Sequence, residues 1–387
     1  MRIGISCYPT YGGSGVVATE LAMALAARGD QVHVISYALP SRLSGLCGSL
    51  RGRDAEVPTE LYENLHYHEV VVPHYPLFEY PPYELALSTK MVEVARREQL
   101  DLLHVHYAVP NAVSAILARQ IVLPQRLPVV TTLHGTDITL VGNDPNYLET
   151  TRFGILESDG VTAVSRWLAE KTHEKIGVSR EIEVIPNFID PERYERATRQ
   201  PGARRWAAPG ERVLVHISNF RPVKRVQDVV ETFYRVQQKV PARLLLVGDG
   251  PDRPKVDQRC RELGICGAIT FIGNLPLVEE VLLGADLFLL PSDAESFGLA
   301  ALEAMACKVP VIGARAGGLP EVVTDGEDGY LLPVADVDGM AEAALSLLQE
   351  PARLRRFGEA ARRNAVERFE QERVVEQYRQ LYLRILD

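Results

Sequence analysis

The chain of 387 residues is poor in cysteine and has no long apolar run, and each shortage excludes a class of protein. Its five cysteines are dispersed, and none forms a C-x-x-C pair, so neither a disulfide framework nor a zinc site is indicated. No apolar stretch reaches the length of a membrane span. The first predicted strand starts within the first three residues, which leaves no room for a signal peptide, and we expect a cytoplasmic protein.

The chain also lacks an excess of positive charge. Its formal net charge is −9, and there is no long basic block. Nucleic-acid binding and electrostatic attachment to a membrane are therefore not expected. The apolar share of 46% and the charged share of 24% are ordinary for a globular protein, and the length is sufficient for two full cores.

What the chain does contain is a regular alternation of short apolar strands and helical stretches, which is typical of parallel α/β sheets. The strands fall into two series, and the polar stretch 190–210 between them is predicted to be a linker. The predicted strands are 3–7, 32–36, 66–72, 102–106, 129–133, 160–164 and 183–185 in the first series, and 213–217, 244–247, 269–272, 287–290, 309–313 and 329–332 in the second.

We therefore predict two Rossmann-like, doubly wound domains that face each other across a cleft, comprising residues 1–190 and 191–367. A C-terminal helix at about 368–387 is predicted to pack back on the first domain. The segment 41–64 is rich in Gly, Ser and Arg with poor periodicity, and it is predicted to be a surface loop.

The most informative segment begins with Glu295 and ends with Glu303, directly after the predicted strand 287–290. We predict that a helix opens near Ser296, which would leave the first backbone N–H groups free to bind an anion. Acids of this kind are often only a helix-start residue and a solvated surface residue. Glu303, however, lies amid Leu and Ala with no polar face, so it needs a partner. Phosphate and hydroxyl recognition together suggest a sugar nucleotide.

The first strand is followed by a glycine-rich turn, in which Gly13, Gly15 and Ala18 match the dinucleotide fingerprint. A nicotinamide enzyme would need an acid at the end of the second strand, where the chain has Ser36 and Tyr37. Three readings stay open: a turn required only for packing, a nicotinamide site, and a close backbone approach to a phosphate or an acceptor anion, which we favour.

Two further motifs follow predicted strands. Arg221, Lys224 and Arg225 lie within five residues, either as a surface charge cluster or, as we favour, as ligands of a diphosphate. His134 precedes Gly135 at another strand end, where it is either a core residue or a ligand of sugar hydroxyls.

No metal site is predicted. His104 and His106 alternate on one strand, so their rings should share a face, but no acidic or cysteine ligand is near them in the sequence. Asp336 and Asp338 form a D-x-D pair before a helical stretch, where a helix N-cap is the favoured role.

These motifs resemble glycosyltransferase family 4, which has the GT-B fold of two Rossmann-like domains. The resemblance is carried by Glu295-x7-Glu303 with Phe297-Gly298, by the glycine-rich first turn, by His134-Gly135-x-Asp137 and by the Lys224 loop. Longer segments around Cys7-Tyr8-Pro9, Phe78-x-Tyr80, His104-Val105-His106, Thr131–Thr139 and Ile217–Arg221 are similar to the malate-glycosylating branch of the family, which acts in bacillithiol biosynthesis.

The resemblance implies a retaining transferase that moves N-acetylglucosamine from UDP-N-acetylglucosamine to the hydroxyl of L-malate. It implies no cofactor and no metal, with the donor in the second domain and the acceptor in the first. A homodimer is also compatible with it. The alternatives are a family member with another acceptor, a non-catalytic sensor of sugar nucleotides and, less favoured, the nicotinamide-dependent oxidoreductase.

The resemblance also implies roles for individual residues. The residues expected to act in catalysis are His134, Glu295, Arg221 and Lys224. Those expected to bind the donor are Gly13, Asn219, Arg221, Lys224, Glu295, Ser296, Phe297, Gly298, Leu299 and Glu303, with Glu303 on the ribose. Those expected to bind malate are Ser14, Tyr107, Thr132 and Arg152. Many family members carry a Gly-Arg pair where this chain has Ser218-Asn219, so either Asn219 or Arg221 takes the phosphate-binding role.

Overall fold

The computed structural model describes residues 1–9, 13–44, 60–73, 76, 79–196 and 202–387. The chain forms two compact units, one made of Met1–Pro186 with Glu372–Asp387 and the other of Asn187–Gln371. Within the described segments, no helix combines the length and the apolarity that crossing a bilayer requires.

The first unit contains an eight-stranded sheet. Its strands are β1 (Arg2–Ser6), β2 (Gln31–Ser36), β3 (Glu60–Tyr62), β4 (Leu65–Glu69), β5 (Leu102–His106), β6 (Val129–Leu133), β7 (Gly160–Ala163) and β8 (Glu183–Val184). The order across the sheet is β3-β4-β2-β1-β5-β6-β7-β8. Only the edge strand β3 is antiparallel to its neighbour. Every residue of β5 and β6 is buried, which explains their continuous apolar pattern, because helices cover both faces of a parallel sheet.

The helices of the first unit are α1 (Ser14–Ala27), α2 (Ser41–Ser44), α3 (Tyr83–Glu98), α4 (Val113–Ile121), α5 (Thr136–Thr139), α6 (Leu148–Glu157) and α7 (Arg166–Ile176). The apolar face of α3 supplies Leu87, Met91 and Val94 to a core that includes Val105 and Val129 of the sheet. Burial of these side chains is the main force that holds helix and sheet together.

The second unit contains a six-stranded sheet in which every pairing is parallel. Its strands are β9 (Arg212–Ile217), β10 (Ala242–Val247), β11 (Ile269–Gly273), β12 (Leu287–Leu290), β13 (Val311–Ala314) and β14 (Gly329–Leu332). Their order is β11-β10-β9-β12-β13-β14, which is the Rossmann order of two halves that wind outward from the centre. The prediction of two doubly wound parallel sheets is thus confirmed.

The helices of the second unit are α8 (Pro191–Arg196), α9 (Val226–Gln237), α10 (Arg253–Glu262), α11 (Glu279–Leu282), α12 (Leu299–Ala306), α13 (Val337–Leu348) and α14 (Pro351–Phe369). Val229 and Phe233 of α9 share one core with Met340 and Ala344 of α13. This core covers one face of the sheet.

The last helix, α15 (Gln371–Leu386), packs in the first unit. The Tyr382 hydroxyl lies 2.7 Å from Nδ1 of His104 in the sheet. The Arg126 guanidinium donates to the carbonyl oxygens of Ile385 and Leu386, each at 2.6 Å, and so satisfies the exposed end of the helix.

The prediction of a linker over 190–210 is wrong in its described part. The chain there forms α8 and a 3₁₀ turn at Gly202–Trp206. The charges that suggested a solvated linker are the partners of buried acids: Arg193 pairs with Glu279 at 2.7 Å, and Arg204 pairs with Asp286 at 2.9 Å. Sequence composition does not distinguish a solvated arginine from one that neutralises a buried carboxylate.

The predicted surface loop over 41–64 is also interrupted by regular structure. Helix α2 and strand β3 lie within it. Residues 45–59 of this segment, together with Gly12 of the first turn and Phe78, lie outside the described residues.

Candidate functional site

In the second unit, the order of the strands reverses between β9 and β12, which are neighbours in the sheet although β10 and β11 lie between them in the chain. The loops that follow two such strands diverge to opposite faces and leave a crevice at their carboxyl ends. Here those loops are 218–225 and 291–298, which contain seven of the ten residues expected to bind the donor. The topology therefore brings two distant motifs to one edge of the sheet.

The loop after β9 is anchored by His216, which is fully buried. Its Nδ1 lies 2.8 Å from the Leu289 carbonyl oxygen, so Nδ1 must carry the proton and donate it. Nε2 then accepts from the Ser218 hydroxyl, also at 2.8 Å. Burial lowers the pKa of His216 to about 4, so this neutral tautomer is kept at neutral pH.

Two glycines that the sequence analysis missed allow this loop to pack closely. A Cβ on Gly248 would overlap the Ser218 carbonyl oxygen, and a Cβ on Gly250 would overlap that of Asn219. A Gly-x-Gly directly after a strand was the available signal, since such spacing marks a close approach of two backbone segments.

Lys224 and Glu295 form the centre of this region. The Lys224 ammonium donates to Oε1 of Glu295 at 2.7 Å, and the Ser292 hydroxyl donates to the same oxygen at 2.7 Å. Glu295 is 8% exposed. An ammonium has three N–H donors, and one of them is used here. Lys224 can therefore hold Glu295 in place while its other donors bind an anion.

The three cations of the loop differ in whether a carboxylate of the chain already neutralises them. Arg225 is neutralised by Asp228 at 2.7 Å and Asp293 at 3.1 Å. Arg221 is exposed and makes no ion pair within the described part of the chain. Asn219 is also exposed. The geometry thus favours Arg221 and Lys224 over Arg225 as ligands of an incoming anion.

The predicted start of the next helix is wrong. Helix α12 begins at Leu299, after Gly298 in the left-handed conformation with φ 97°. The reason is that Phe297 turns into the core, 3% exposed, where its ring meets Phe369 edge to face at 5.5 Å. The N–H groups that precede the first intrahelical bond, which Leu302 donates to Gly298, are those of Leu299, Ala300 and Ala301. The amides that are expected to bind an anion are therefore shifted toward Leu299.

Glu303 lies on α12 and is 7% exposed, as its apolar sequence neighbours predicted. Tyr194 and Cys307 are close to it. Burial raises the pKa of Tyr194 well above its usual value, and the negative charge of Glu303 raises it further. Glu303 is thus a carboxylate held inside the second unit and not a solvated surface acid.

The loop Ala316-Gly317-Gly318 completes the surroundings of Glu295 and was also missed by the sequence analysis. The Gly318 N–H donates to the Glu295 carbonyl oxygen at 2.7 Å. Gly317 has φ 62°, and a Cβ there would overlap the same oxygen. Glu295 is therefore positioned through both its side chain and its backbone.

Replacing Gly317 by alanine is expected to displace Glu295 and to lower the melting temperature more than the positive φ alone would. The matched control is Gly326→Ala, because Gly326 has φ 81° with nothing within 4 Å of the added Cβ. The left-handed conformation costs an alanine about 1–2 kcal/mol in both variants. The overlap adds to that cost only at Gly317, and equal melting temperatures in thermal unfolding would contradict this account.

The sheet of the first unit has its own point of reversal, between β1 and β5. Tyr8 follows β1, Tyr107 follows β5, and their rings meet edge to face at 5.5 Å. Gly13 is exposed at the N-cap of α1 with φ 61°, and Ser14 is buried in the first turn. Tyr107 is itself held at φ 87°, an unusual value for a residue with a side chain.

His134 and Asp137 lie beside these residues, at the end of β6. The Asp137 carboxylate accepts the N–H groups of Gly135 at 2.8 Å, His134 at 3.1 Å and Ala108 at 3.2 Å, and thereby joins the loops after β5 and β6. Burial raises the pKa of Asp137 to about 6, although the three N–H donors lower it. Nε2 of His134 lies 2.7 Å from Nδ1 of His106.

Of the residues predicted to bind the acceptor, Tyr107 and Thr132 are neighbours, because the Tyr107 N–H donates to the Thr132 carbonyl oxygen at 3.0 Å. The Thr132 hydroxyl is buried and bonded to His104 and Thr162, each at 2.7 Å. The Arg152 guanidinium bonds the Ile176 carbonyl oxygen at 2.9 Å and Glu149 at 2.5 Å. Their roles toward an acceptor stay predictions.

The end of β2 does not offer the carboxylate of a nicotinamide site. Ser36 is buried, and its hydroxyl donates to the Cys7 carbonyl oxygen at 3.0 Å. Tyr37 follows it, 43% exposed. Neither side chain supplies the acid that binds a ribose in that fingerprint.

The two groups considered as metal ligands have other partners. Asp336 caps α13 and accepts the Gly339 N–H at 2.9 Å, as predicted. The rings of His104 and His106 share a face, with centroids 4.6 Å apart, as predicted.

A third group, His33, His68 and Glu98, has metal-ligand spacing. Its two histidines already have hydrogen-bond partners. His33 Nδ1 lies 3.0 Å from His68 Nε2, and the Arg97 guanidinium lies 3.1 Å from His68 Nδ1. The Arg97 guanidinium also pairs with Glu98 at 2.7 Å. A guanidinium in that position opposes a second cation.

Comparisons with known proteins identify the family. The profile described as Glycosyltransferase Family 4 matches residues 11–193, and that described as Glycosyl transferases group 1 matches residues 203–364. The chain is 47% identical over 387 residues to N-acetyl-alpha-D-glucosaminyl L-malate synthase of Bacillus anthracis, covering 100% of this chain and 97% of that protein. It is 30% identical over 373 residues to D-inositol 3-phosphate glycosyltransferase of Nocardia farcinica, covering 90% and 79%.

Solved structures share the fold. HepE of Anabaena, in complex with UDP and glucose, superposes with a TM-score of 0.79 at 20% identity over 98% of this chain and 99% of that one. Sucrose-phosphate synthase of Thermosynechococcus elongatus gives a TM-score of 0.78 at 21% identity over 100% and 99%. With this GT-B fold and a relative matched over its full length, the chain belongs to glycosyltransferase family 4.

Proposed function

We propose that this glycosyltransferase moves N-acetylglucosamine from UDP-N-acetylglucosamine to the hydroxyl of L-malate, with retention of the α configuration and without a metal ion. The observation that carries the proposal is the 47% identity, across the whole chain, to the Bacillus anthracis synthase whose name states this product. In this role the enzyme catalyses the first step of bacillithiol biosynthesis.

The second unit supplies what a UDP-sugar needs. Arg221 and Lys224 present cations at the switch point between β9 and β12, and the first N–H groups of α12 add partial positive charge. Glu303, buried on α12, is the group that would accept the ribose hydroxyls. Glu295 would accept sugar hydroxyls with the oxygen that Lys224 and Ser292 do not bind.

In the reaction, the bond between C1 of the sugar and the diphosphate oxygen breaks. The malate hydroxyl oxygen bonds to C1, and its proton passes to an oxygen of the departing diphosphate. Because the leaving group is an anion, it needs charge neutralisation and not a protein acid. Arg221, Lys224 and the α12 amides are suited to this task, and no separate catalytic base is required.

For malate, Arg152 is the candidate that has the necessary fork of N–H donors. One of its present partners, the Glu149 carboxylate, has a side chain that is 77% exposed. A malate carboxylate would replace Glu149 at little cost, because exposed ion pairs are worth only about 0–1 kcal/mol. The bond to the Ile176 carbonyl oxygen keeps the guanidinium oriented during the exchange.

We expect UDP release from UDP-N-acetylglucosamine when L-malate is added, and much less with glycerol or lipid acceptors. The measurement is UDP production by the purified protein across a panel of hydroxy acids. Turnover with another acceptor but not with malate would replace malate in the proposal. Binding of UDP-N-acetylglucosamine without turnover of any acceptor would favour a sensor.

The same assay tests retention of the α configuration and independence from a metal ion. The anomeric proton coupling of the product, measured by NMR, should show the α configuration. A chelator should leave the rate unchanged, because protein cations and helix amides neutralise the diphosphate. A strong loss of rate that added Mg²⁺ restores would instead assign that neutralisation to a metal. A cytoplasmic location and a homodimer stay predictions, which fractionation and sedimentation test.

A further inference from the structure

Three histidine rings lie in contact at the carboxyl ends of β5 and β6. The centroids of His104 and His106 are 4.6 Å apart, and those of His106 and His134 are 5.0 Å apart. His104 and His106 are fully buried, whereas His134 is half-buried. The row therefore leads from the core of the first unit to the edge of the sheet where His134 is expected to meet substrate.

The hydrogen bonds of this row differ from one ring to the next. His104 has a partner on each nitrogen, Tyr382 on Nδ1 and Thr132 on Nε2. His106 has one, the 2.7 Å contact of its Nδ1 with Nε2 of His134. Nε2 of His106 is buried and has no hydrogen-bond partner among the described residues.

The unpartnered Nε2 of His106 decides which of the two rings donates the hydrogen bond between His106 and His134. If Nδ1 of His106 were the acceptor, its proton would sit on Nε2 as a buried N–H without an acceptor. Such groups are rarer in proteins than unpaired acceptors and cost free energy on burial. The favoured tautomer of His106 therefore carries its proton on Nδ1 and donates it to Nε2 of His134.

This assignment fixes His134 in turn. With Nε2 accepting, a neutral His134 must carry its proton on Nδ1. Nδ1 of His134 has no bond to another group in the described part of the chain, so this N–H is available to a ligand. Burial keeps both rings neutral, since it lowers the pKa of His134 to about 3 and that of His106 well below its usual value.

Among the described residues, the other neighbours of His134 do not set the position of its ring proton. Asp137 accepts the backbone N–H of His134 and not the ring. Tyr107 contacts the ring by its face, with centroids 5.6 Å apart. Within the described part of the chain, the 2.7 Å contact with Nδ1 of His106 is the polar contact that orients the imidazole.

We propose that His106 is a positioning residue that holds His134 as the Nδ1-protonated neutral tautomer, so that His134 donates a hydrogen bond to an oxygen of the bound substrate. The kind of oxygen that fits is a sugar hydroxyl or another neutral acceptor, because a neutral imidazole brings no charge. This inference rests on the proposed function only for the identity of the substrate. The tautomer itself is a property of the free protein.

The test has a part that does not depend on activity. The ¹⁵N shifts of the histidine rings in the free, ¹⁵N-histidine-labelled protein should show His134 protonated on Nδ1 and His106 protonated on Nδ1. Assignment uses the His134→Gln and His106→Asn variants. A His134 ring protonated on Nε2, or a charged ring at pH 7, would overturn the proposal whether or not malate is the acceptor.

The second part measures transfer. His106→Leu removes the donor and should lower kcat by about tenfold or more, the effect of losing one hydrogen bond that orients a reacting partner. His106→Asn places an amide N–H near the position of Nδ1 and should restore most of kcat. UDP affinity should be unchanged in both, because the nucleotide is expected in the second unit.

The control variant is His104→Gln, which alters a buried histidine of the same strand that does not bond His134. It should change stability without changing the His134 tautomer. Equal kcat in His106→Leu and the wild-type enzyme would contradict the positioning role. So would a folded His106→Asn enzyme that keeps the Nδ1 tautomer of His134 but does not recover kcat. Absence of transfer to malate in the wild-type enzyme would count against the proposed function alone.

Discussion

Replacing Lys224 by methionine is expected to lower kcat by about 10²–10³-fold, the usual effect of removing one donor that stabilises charge developing in the transition state. Lys224 lies at the switch point and has two N–H donors beyond the one that bonds Glu295. Methionine keeps the apolar stem and removes the charge. The measurement is kcat for UDP release at saturating malate.

The same substitution is expected to destabilise the second unit. The side chains of Lys224 and Glu295 are 21% and 10% exposed, so removing the lysine leaves a nearly buried carboxylate without its cation. Breaking such a pair costs about 3–5 kcal/mol. Chemical denaturation of the variant measures this loss.

A double variant separates the two effects. Lys224→Met with Glu295→Gln removes both charges and should recover most of the stability while kcat stays low. The control is Lys255→Ala, which removes a lysine of the same unit whose partner is Asp252 and whose side chain is 60% exposed. Recovery of kcat in the double variant would show that Lys224 acts only through Glu295. An equal loss of kcat in the Lys255→Ala control would show that Lys224 acts only through the overall electrostatic field of the unit.

Lowering the pH from 6.5 toward 4 is expected to unfold the first unit before the second. In the first unit, burial lowers the pKa of His33 and His68 to about 4, that of His104 and His134 to about 3, and that of His106 well below its usual value. In the second unit, among the described residues, only His216 has a lowered histidine pKa, at about 4.

The sign of the effect follows from proton binding. An unfolded histidine titrates at about 6.5, so below that pH the unfolded state binds protons that the folded state does not. The contribution of these neutral histidines to the free energy of unfolding is therefore fully present above pH 6.5 and is lost as the pH falls. At pH 5.5 each of these histidines costs about 1.4 kcal/mol, or about 7 kcal/mol for the five in the first unit.

That loss is comparable to the whole stability of many domains, about 5–15 kcal/mol. Asp137 acts in the opposite direction, because burial raises its folded pKa to about 6 and protonation then favours the folded state. A single carboxyl does not offset five histidines.

The two tryptophans allow each unit to be observed separately. Trp167 lies on α7 in the first unit, and Trp206 lies in the 3₁₀ turn of the second. Fluorescence of a Trp206→Phe variant then reports acid unfolding of the first unit, and that of a Trp167→Phe variant reports the second. A flat signal from Trp167 down to pH 4.5, or earlier unfolding at Trp206, would contradict the expectation. His33→Gln with His68→Gln should move the first transition to lower pH.

Much of the candidate site could be predicted from the sequence, because local chemistry marks its residues. A strand-terminal histidine, three cations after a strand and two acids around a glycine-containing turn each mark a carboxyl end of a parallel strand. The burial of Glu303 followed from its apolar neighbours. The helix start was misplaced, because the sequence does not show that Phe297 turns into the core and that Gly298 caps the helix.

Other features depend on close contact between distant segments. Gly317 must be glycine because the Glu295 backbone lies against it. Gly248 and Gly250 must be glycine because the backbone of the loop after β9 lies against them. The arginines of 190–210 look solvated in the sequence and are in fact bonded to Glu279 and Asp286. A composition-based reading does not identify partners that lie more than 70 residues away.

The sequence by itself determined that the chain forms two parallel α/β sheets, since strands buried on both faces must be continuously apolar, and that its strand ends carry residues suited to a sugar nucleotide. The tertiary structure decided which of those ends are neighbours. Strand order is set by the packing of helices over the whole sheet, and it alone places Lys224 against Glu295 and His106 against His134.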